Sequence, residues 1–215
     1  MTCCAPKGYA RLFGRRAARR DARRYERSGL DAMGARMVAF LVGRGIEGAS
    51  VLEIGGGVGA LQVELLRAGA GRATNLELSP EYEDAARALL REHGLEERAE
   101  RRLGDVVAEP ALASPADAVV MHRVVCCYPD ADALVGAAAE RARRHLVLTF
   151  PRDRRLIRAG ARLLNVGFRL LRWDYRTFVH PPAAIVAAAE RRGLTLAHES
   201  RSAVWQLAAL ERAPA

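Results

Sequence analysis

Lysine is nearly absent from this sequence. Lys7 is its only lysine, so arginine supplies almost all of the positive charge behind the formal net charge of +9. No apolar run approaches the roughly 18 residues that cross a bilayer, and the N-terminal residues contain no apolar core typical of a signal peptide. The chain of 215 residues is long enough for one well-buried core. We therefore expect a cytoplasmic globular protein of one domain.

Cysteine is also scarce, and its spacing is atypical of a metal centre. The four cysteines form two adjacent pairs, Cys3–Cys4 and Cys126–Cys127, with no C-x-x-C motif. Neighbouring cysteines rarely bond to each other because the geometry is strained. We expect reduced thiols and no metal site.

Short apolar runs alternate with helical patterns along most of the chain. Strands are predicted at residues 50–54, 73–78, 99–103, 116–121, 145–150, 194–200 and 204–210. Helices are predicted at residues 10–28, 30–42, 60–68, 80–93, 130–143, 153–172 and 182–192. This alternation predicts a Rossmann-like α/β fold, a doubly wound sheet with helices on both faces. Only about three residues join the last two strands, so that pair must be antiparallel.

Two segments lie outside the regular alternation. Residues 1–45 are predicted to form an N-terminal helical cap, and residues 46–215 the α/β domain with an insert at about 152–180. The insert combines leucines with arginines. We expect a lid that packs on the core over the acceptor side. The alternative is a basic amphipathic helix that makes peripheral contact with an anionic membrane.

A glycine-rich turn, Gly55-Gly56-Gly57-Val58-Gly59, follows the first predicted strand. Ligands of open α/β sheets lie at the carboxyl ends of the strands, and glycine lets the backbone approach them closely. An acid accompanies each of the first three strands: Glu53, Glu77 and Asp105. Carboxylates at successive strand ends favour a cationic ligand that carries a ribose and an adenine over one that depends on a pyrophosphate.

The stretches E-I-G-G-G-V-G, N-L-E-L-S and G-D closely resemble the first three motifs of class I S-adenosylmethionine-dependent methyltransferases. The resemblance covers about residues 48–150 and implies S-adenosylmethionine as cofactor. It implies that Glu53, Gly55 and Gly57 lie against the methionine part, Glu77 against the ribose and Asp105 against the adenine. The full set of implied cofactor residues is Glu53, Ile54, Gly55, Gly56, Gly57, Glu77, Leu78, Gly104, Asp105, Val106, His122 and Arg123. The segment H-R-V-V-C-C-Y-P-D also resembles magnesium-protoporphyrin O-methyltransferases, with Cys127 where they carry a histidine.

His122 is the candidate general base, since it follows the fourth strand and a histidine titrates near neutrality. The alternative is that it only hydrogen-bonds the cofactor or the backbone. Tyr25, Tyr128 and His180 are candidate substrate residues, and each has an alternative role in packing or in a turn.

The predicted function is methyl transfer to a small-molecule acceptor that is apolar or ring-containing. A nucleic-acid methyltransferase agrees with the basic charge, but the Asn/Asp-Pro-Pro-aromatic element typical of that class is absent, so we expect no nucleic-acid partner. An NAD(P)-dependent oxidoreductase shares the glycine turn, and a catalytically silent cofactor-binding protein is the third alternative. Nothing in the sequence specifies the oligomeric state.

Overall fold

A computed structural model describes residues 8–213, apart from the side chains of residues 9 and 10. Its strands are β1 (Ser50–Ile54), β2 (Arg72–Glu77), β3 (Ala99–Leu103), β4 (Ala116–His122), β5 (Ala142–Pro151), β6 (Leu194–Arg201) and β7 (Trp205–Arg212). Its helices are α1 (Tyr9–Leu12), α2 (Arg15–Ser28), α3 (Ala32–Val42), α4 (Ala60–Arg67), α5 (Glu83–Glu92), α6 (Ala131–Arg141), α7 (Arg155–Leu170) and α8 (Pro182–Glu190).

The seven strands form one sheet in the order β3-β2-β1-β4-β5-β7-β6. Strands β1 to β5 pair in parallel, whereas β7 runs antiparallel to both β5 and β6. The predicted Rossmann-like sheet with an antiparallel last strand is confirmed. The strand order reverses between β1 and β4, which is where such sheets open a crevice for a ligand.

Each face of the sheet is covered by helices. In β4, Ala118 and Val120 join the core with α2, α3, α4 and α5, while Val119 and Met121 join the core with α6 and α8. This alternation of side chains across a strand builds a three-layer structure. Because α2 and α3 share their core with α4 and α5, they are part of one helical layer. The predicted division at residue 45 stays a prediction.

Several predicted boundaries are wrong. The first predicted helix breaks at Gly14, whose extended backbone begins α2. Helix α6 ends at Arg141, two residues early, because the buried Ala142 already pairs with β4 as the first residue of β5. The helix predicted to end at residue 172 ends at Leu170.

Helix α7 does not pack on the core as predicted for a lid. None of its residues is buried, and most of its leucines are exposed to solvent. A helical apolar pattern shows that a helix has an apolar face, but it does not show what covers that face. Within the described range, no helix combines the length and the apolar character needed to cross a bilayer.

Candidate functional site

A cavity opens at the carboxyl ends of β1 to β4, next to the switch in strand order. Its wall contains the last residue of β1, β2 and β4 and the residues that follow β3. The residues that line it are Phe13, Asp21, Ile54, Gly55, Gly56, Gly57, Val58, Leu76, Glu77, Leu78, Tyr82, Gly104, Asp105, Val106, His122, Arg123, Val124, Cys127, Tyr128 and Leu134. All of the predicted cofactor residues except Glu53 are therefore brought together in one wall.

The glycine turn forms the floor of the cavity above a buried polar layer. A Cβ atom added to Gly56 would lie 2.1 Å from Asn75 Nδ2 and 2.5 Å from Glu53 Oε2. Gly57 adopts a φ of 55°, in the left-handed region that favours glycine. Glycine is thus required at the turn because polar side chains press on its underside, while its upper side faces the cavity.

Glu53 lies behind the turn and does not line the cavity. Its carboxylate is buried and accepts a hydrogen bond of 3.1 Å from Asn75 Nδ2. Burial raises the pKa of Glu53 to about 8, against the lowering effects of the Arg101 charge and of the Asn75 hydrogen bond. The backbone of Gly56 therefore separates the Glu53 carboxyl from the cavity, and direct contact between Glu53 and a ligand stays a prediction.

Glu77 ends β2 and is held by three backbone N–H groups. Its Oε1 accepts from Leu78 and Ser79 at 2.8 and 3.0 Å, and its Oε2 accepts from Gly57 at 2.8 Å. An ionised carboxylate has about four acceptor positions. One position therefore remains on Oε2 for a ligand hydroxyl, in a side chain whose orientation is already set.

Asp105 follows β3 and has a similar arrangement. Its Oδ1 accepts from Val107 N at 2.9 Å, and its Oδ2 accepts from the Tyr128 hydroxyl at 3.0 Å. Each oxygen keeps one acceptor position. Tyr128, predicted as a substrate residue, does line the cavity, and it also fixes the Asp105 carboxylate.

His122 and Arg123 of the cavity wall both contact Asp31. Asp31 Oδ1 accepts from the backbone of Met33 and Gly34, which begins α3. Asp31 Oδ2 lies 3.2 Å from His122 Nε2 and 2.5 Å from Arg123 Nη2.

The charge state of Asp31 follows from these contacts. Burial alone would raise the pKa of Asp31, but hydrogen bonds from His122 and Gly34 and the charges of His122 and Arg123 hold it well below its usual range. Since an ionised carboxylate only accepts, Nε2 of His122 carries a proton.

The second nitrogen of His122 is also engaged. Its Nδ1 lies 3.0 Å from Thr149 Oγ1, which accepts a hydrogen bond from Arg123 N. In this arrangement no ring nitrogen of His122 is free to take a proton from an acceptor. Arg123 itself has a φ of 61°, and its guanidinium lies 4.7 Å from the centre of the Trp205 ring.

Two predicted substrate residues lie away from the cavity. The Tyr25 side chain is buried in the core, and its hydroxyl donates to Glu64 Oε1 at 2.5 Å. His180 lies in a shallow depression beside Asp130 and Arg191, with Nε2 2.9 Å from Tyr128 O. Tyr25 and His180 thus lie outside this cavity because tertiary packing engages them elsewhere, and their role as substrate residues stays a prediction.

Several cavity residues were not predicted. Phe13 and Asp21 come from the N-terminal helical region, and the Tyr82 hydroxyl donates to Asp21 at 2.9 Å. Arg101 of β3 lies beneath the glycine turn, where Nη2 donates to Gly57 O and Nε to Glu83 Oε1, both at 2.9 Å. The only signal in the sequence was an arginine inside a predicted strand.

Cys3 and Cys4 lie outside the described residues.

The charge of the cavity wall is predominantly negative. Asp21, Glu77 and Asp105 contribute carboxylates, and Arg123 is the one guanidinium among the described lining residues. Asp31 pairs with that guanidinium. Such a wall suits a cationic ligand and disfavours a pyrophosphate.

Comparisons with known proteins agree with this geometry. Residues 51–147 match the family model of the methyltransferase domain. No curated protein matches the chain in sequence. The chain is similar to magnesium protoporphyrin IX methyltransferase from Synechocystis PCC 6803, solved with bound SAH, at 22% identity over 84% of this chain and 82% of that chain, with a TM-score of 0.69.

Two further solved structures share the fold. An O-methyltransferase family protein from Burkholderia thailandensis is 20% identical over 94% of this chain and 63% of that chain, with a TM-score of 0.67. The pyocyanin biosynthetic protein PhzM is 21% identical over 85% of this chain and 56% of that chain, with a TM-score of 0.58. At these identities the structural likeness shows the fold, and the match over residues 51–147 identifies a methyltransferase domain within the chain. The match to the methyltransferase domain and the shared fold together support a class I S-adenosylmethionine-dependent methyltransferase.

Proposed function

We propose that this methyltransferase acts on a small-molecule acceptor that is apolar or ring-containing. The proposal depends on one observation: the cavity wall has a polar part and a mainly apolar part. Carboxylates and the glycine turn lie at the ends of β1, β2 and β3, while the remaining wall is mainly apolar and aromatic. Small-molecule sites commonly combine an apolar wall with a few placed polar groups.

The residues present fit the cofactor. S-adenosylmethionine supplies a methyl group on a positively charged sulfur. Glu77 would hold the ribose through the free acceptor position on Oε2, and Asp105 would accept from the adenine amino group. Glu53 favours the positive charges from behind Gly56. These roles agree with the negative wall, which attracts a cation without further rearrangement.

The acceptor side is formed by Phe13, Val124, Cys127, Tyr128 and Leu134. Phe13 and Tyr128 contribute aromatic rings to this wall, and Val124 and Leu134 contribute aliphatic side chains. Burial of a flat apolar acceptor against such a wall removes apolar area from water. A small polar acceptor would leave its hydrogen-bonding groups unpaired there.

His122 acts as a positioning residue in this proposal. Its proton on Nε2 holds the Asp31 carboxylate, and Asp31 in turn holds Arg123 at the cavity wall. Much of the rate of methyl transfer comes from alignment of donor and acceptor, which a rigid wall favours. The earlier prediction of a general base at His122 would require the Thr149 hydroxyl to leave Nδ1.

Calorimetric titration with S-adenosylmethionine, S-adenosylhomocysteine and NADH tests the cofactor roles. We expect the first two to bind and NADH not to bind. Glu77→Gln should weaken cofactor binding by about tenfold or more, because hydrogen bonds to a charged group contribute roughly 1.5–3 kcal/mol. Glu81→Gln is the matched control, since Glu81 lies on the surface and pairs with Arg15. Binding of NADH, or an equal loss in both variants, would overturn these roles.

An acceptor screen tests the substrate class. Formation of S-adenosylhomocysteine is measured with matched sets of apolar ring compounds, small polar metabolites and nucleic acids. We expect turnover in the first set and reduced turnover with Leu134→Ser or Val124→Ser. Turnover confined to polar metabolites or to nucleic acid at moderate salt would contradict the proposal.

A further inference from the structure

Helix α7 carries a wide apolar face that nothing covers within residues 8–213 of the structure. Leu156, Leu163 and Leu170 recur every seven residues and are 87%, 74% and 78% exposed. Leu164, Leu171 and Val166 flank them and are also exposed. Leucine side chains at this spacing lie along one side of a helix, so the exposed apolar atoms form a continuous strip.

The opposite face of α7 explains why the helix keeps this orientation. Phe168 stacks on Trp173 at 5.7 Å and meets Tyr175 edge-on at 5.3 Å. Asn165 exchanges hydrogen bonds of 2.8 and 2.9 Å with the backbone of Thr177. The helix is therefore attached to the protein through one face and presents its leucines outward.

A stripe of arginines borders the apolar strip. Arg155, Arg158, Arg162 and Arg169 lie at helical spacing, and the sequence has no acidic residue from position 154 to position 173. Arg158 pairs with Asp153, whereas Arg162 and Arg169 have no ion-pair partner among the described residues. The surface is thus apolar along its centre and cationic along one border.

This combination favours an anionic lipid surface over a second copy of the chain. Two copies that packed antiparallel through their leucines would bring their arginine stripes to the same side, and α7 has no carboxylate to neutralise them. A bilayer with anionic lipids offers apolar chains to the leucines and phosphate groups to the arginines at once.

We propose that α7 docks this protein on the surface of an anionic phospholipid bilayer. The docking inserts Leu156, Leu163 and Leu170 at the acyl boundary and sets Arg162 and Arg169 among the headgroups. The inner face of α7 continues to the cavity, because Tyr175 packs against Phe13 at 5.8 Å and donates to Cys127 Sγ at 3.0 Å. Docking therefore places the wall of the cavity beside the bilayer.

Co-sedimentation with vesicles tests this inference on the full chain. Phosphatidylcholine vesicles are compared with vesicles of equal parts phosphatidylcholine and phosphatidylglycerol. We expect binding to the anionic vesicles only. The L156S/L163S/L170S variant should bind about tenfold or more weakly, because it removes the apolar contribution. R162E/R169E should lose binding to a similar extent.

Two matched controls separate α7 from general properties of the surface. R24E/R27E reverses two exposed arginines of α2 and should change binding by less than about threefold. V42S/L103S changes two exposed apolar residues elsewhere and should have no effect. Cofactor titration of each variant reports whether the fold is intact, since none of these positions lines the cavity.

Three results would overturn the proposal. One is the absence of binding to anionic vesicles at low salt. A second is an equal loss in the α2 variant, which would mean that net charge alone attracts the protein. The third is a dimer that dissociates in L156S/L163S/L170S without any vesicle binding, which would identify a second copy as the occupant.

Discussion

We expect the buried carboxyl of Glu53 to make cofactor binding a proton-linked event. With a pKa of about 8 in the free protein, roughly 90% of Glu53 is protonated at pH 7. If a positive charge lay about 5 Å from the carboxyl at an effective dielectric of about 20, it would favour the ionised form by about 3 kcal/mol. That corresponds to about 2 pKa units, so the bound protein should hold Glu53 mainly ionised at pH 7.

The sign of the pH effect follows directly. The cation binds better to the ionised form, so binding at pH 7 should release about 0.8 of a proton from Glu53, and affinity should rise with pH between about 6 and 8. Titration in phosphate and in Tris, whose ionisation enthalpies differ, measures the proton count. The amino group of the cofactor titrates in the same pH range, so the contribution of Glu53 is the difference in proton release between the wild type and Glu53→Gln.

Glu53→Gln is the matched control because it preserves shape and the contact with Asn75 without an ionisable proton. We expect proton release to fall by about 0.8 per site in this variant and its affinity to lose most of its pH dependence. The same proton release in both proteins would refute the reasoning, since the proton would then come from another group.

The remaining predictions concern the floor and the wall of the cavity. Gly56→Ala should lower the free energy of unfolding by about 1–3 kcal/mol and weaken cofactor binding, because the added Cβ would clash with Asn75 and Glu53. Denaturant titration measures the loss. Gly160→Ala is the control: a Cβ there meets nothing within 4 Å, so this variant should be slightly more stable than the wild type. Asp31→Asn keeps an oxygen for the helix cap but removes the charge, so it should cost about 1–3 kcal/mol at pH 7. Because the pKa of Asp31 is lowered in the folded protein, its ionised carboxylate stabilises the fold above about pH 4, and this contribution is lost as the pH falls further. The free energies of unfolding of Asp31→Asn and the wild type should therefore be closer to each other in acid. His122→Gln should lower kcat by less than about tenfold and keep the shape of the pH–rate profile. A loss of about 10²–10⁴-fold, together with a missing limb of the profile, would instead identify His122 as the general base.

Much of the fold could be predicted because its signals are local. Apolar runs, glycine after β1 and acids at the ends of β2 and β3 are properties of neighbouring residues, and parallel strands bring their carboxyl ends to one edge. Glu77 and Asp105 therefore meet in one cavity as predicted. The short connection before β7 allowed only an antiparallel pair.

The errors in the site have a common physical cause. Asp21 lines the cavity, and Asp31 meets His122 and Arg123 of its wall, only because the N-terminal helices pack on the sheet. Contacts between residues far apart in sequence leave no periodic trace. Glu53 has the predicted strand position, but alternation along β1 turns its side chain behind the glycine turn.

Helix α7 illustrates the same limit from the opposite direction. Its sequence alone determines an amphipathic, arginine-bordered helix, because the 3.6-residue period depends only on residue order. Whether the leucines face inward or outward depends on which face of α7 contacts the rest of the protein. Asn165 and Phe168 make those contacts from the opposite face, so the leucines face outward. The pattern is identical for a helix that packs inward and for one that faces solvent, so only the packed structure distinguishes them.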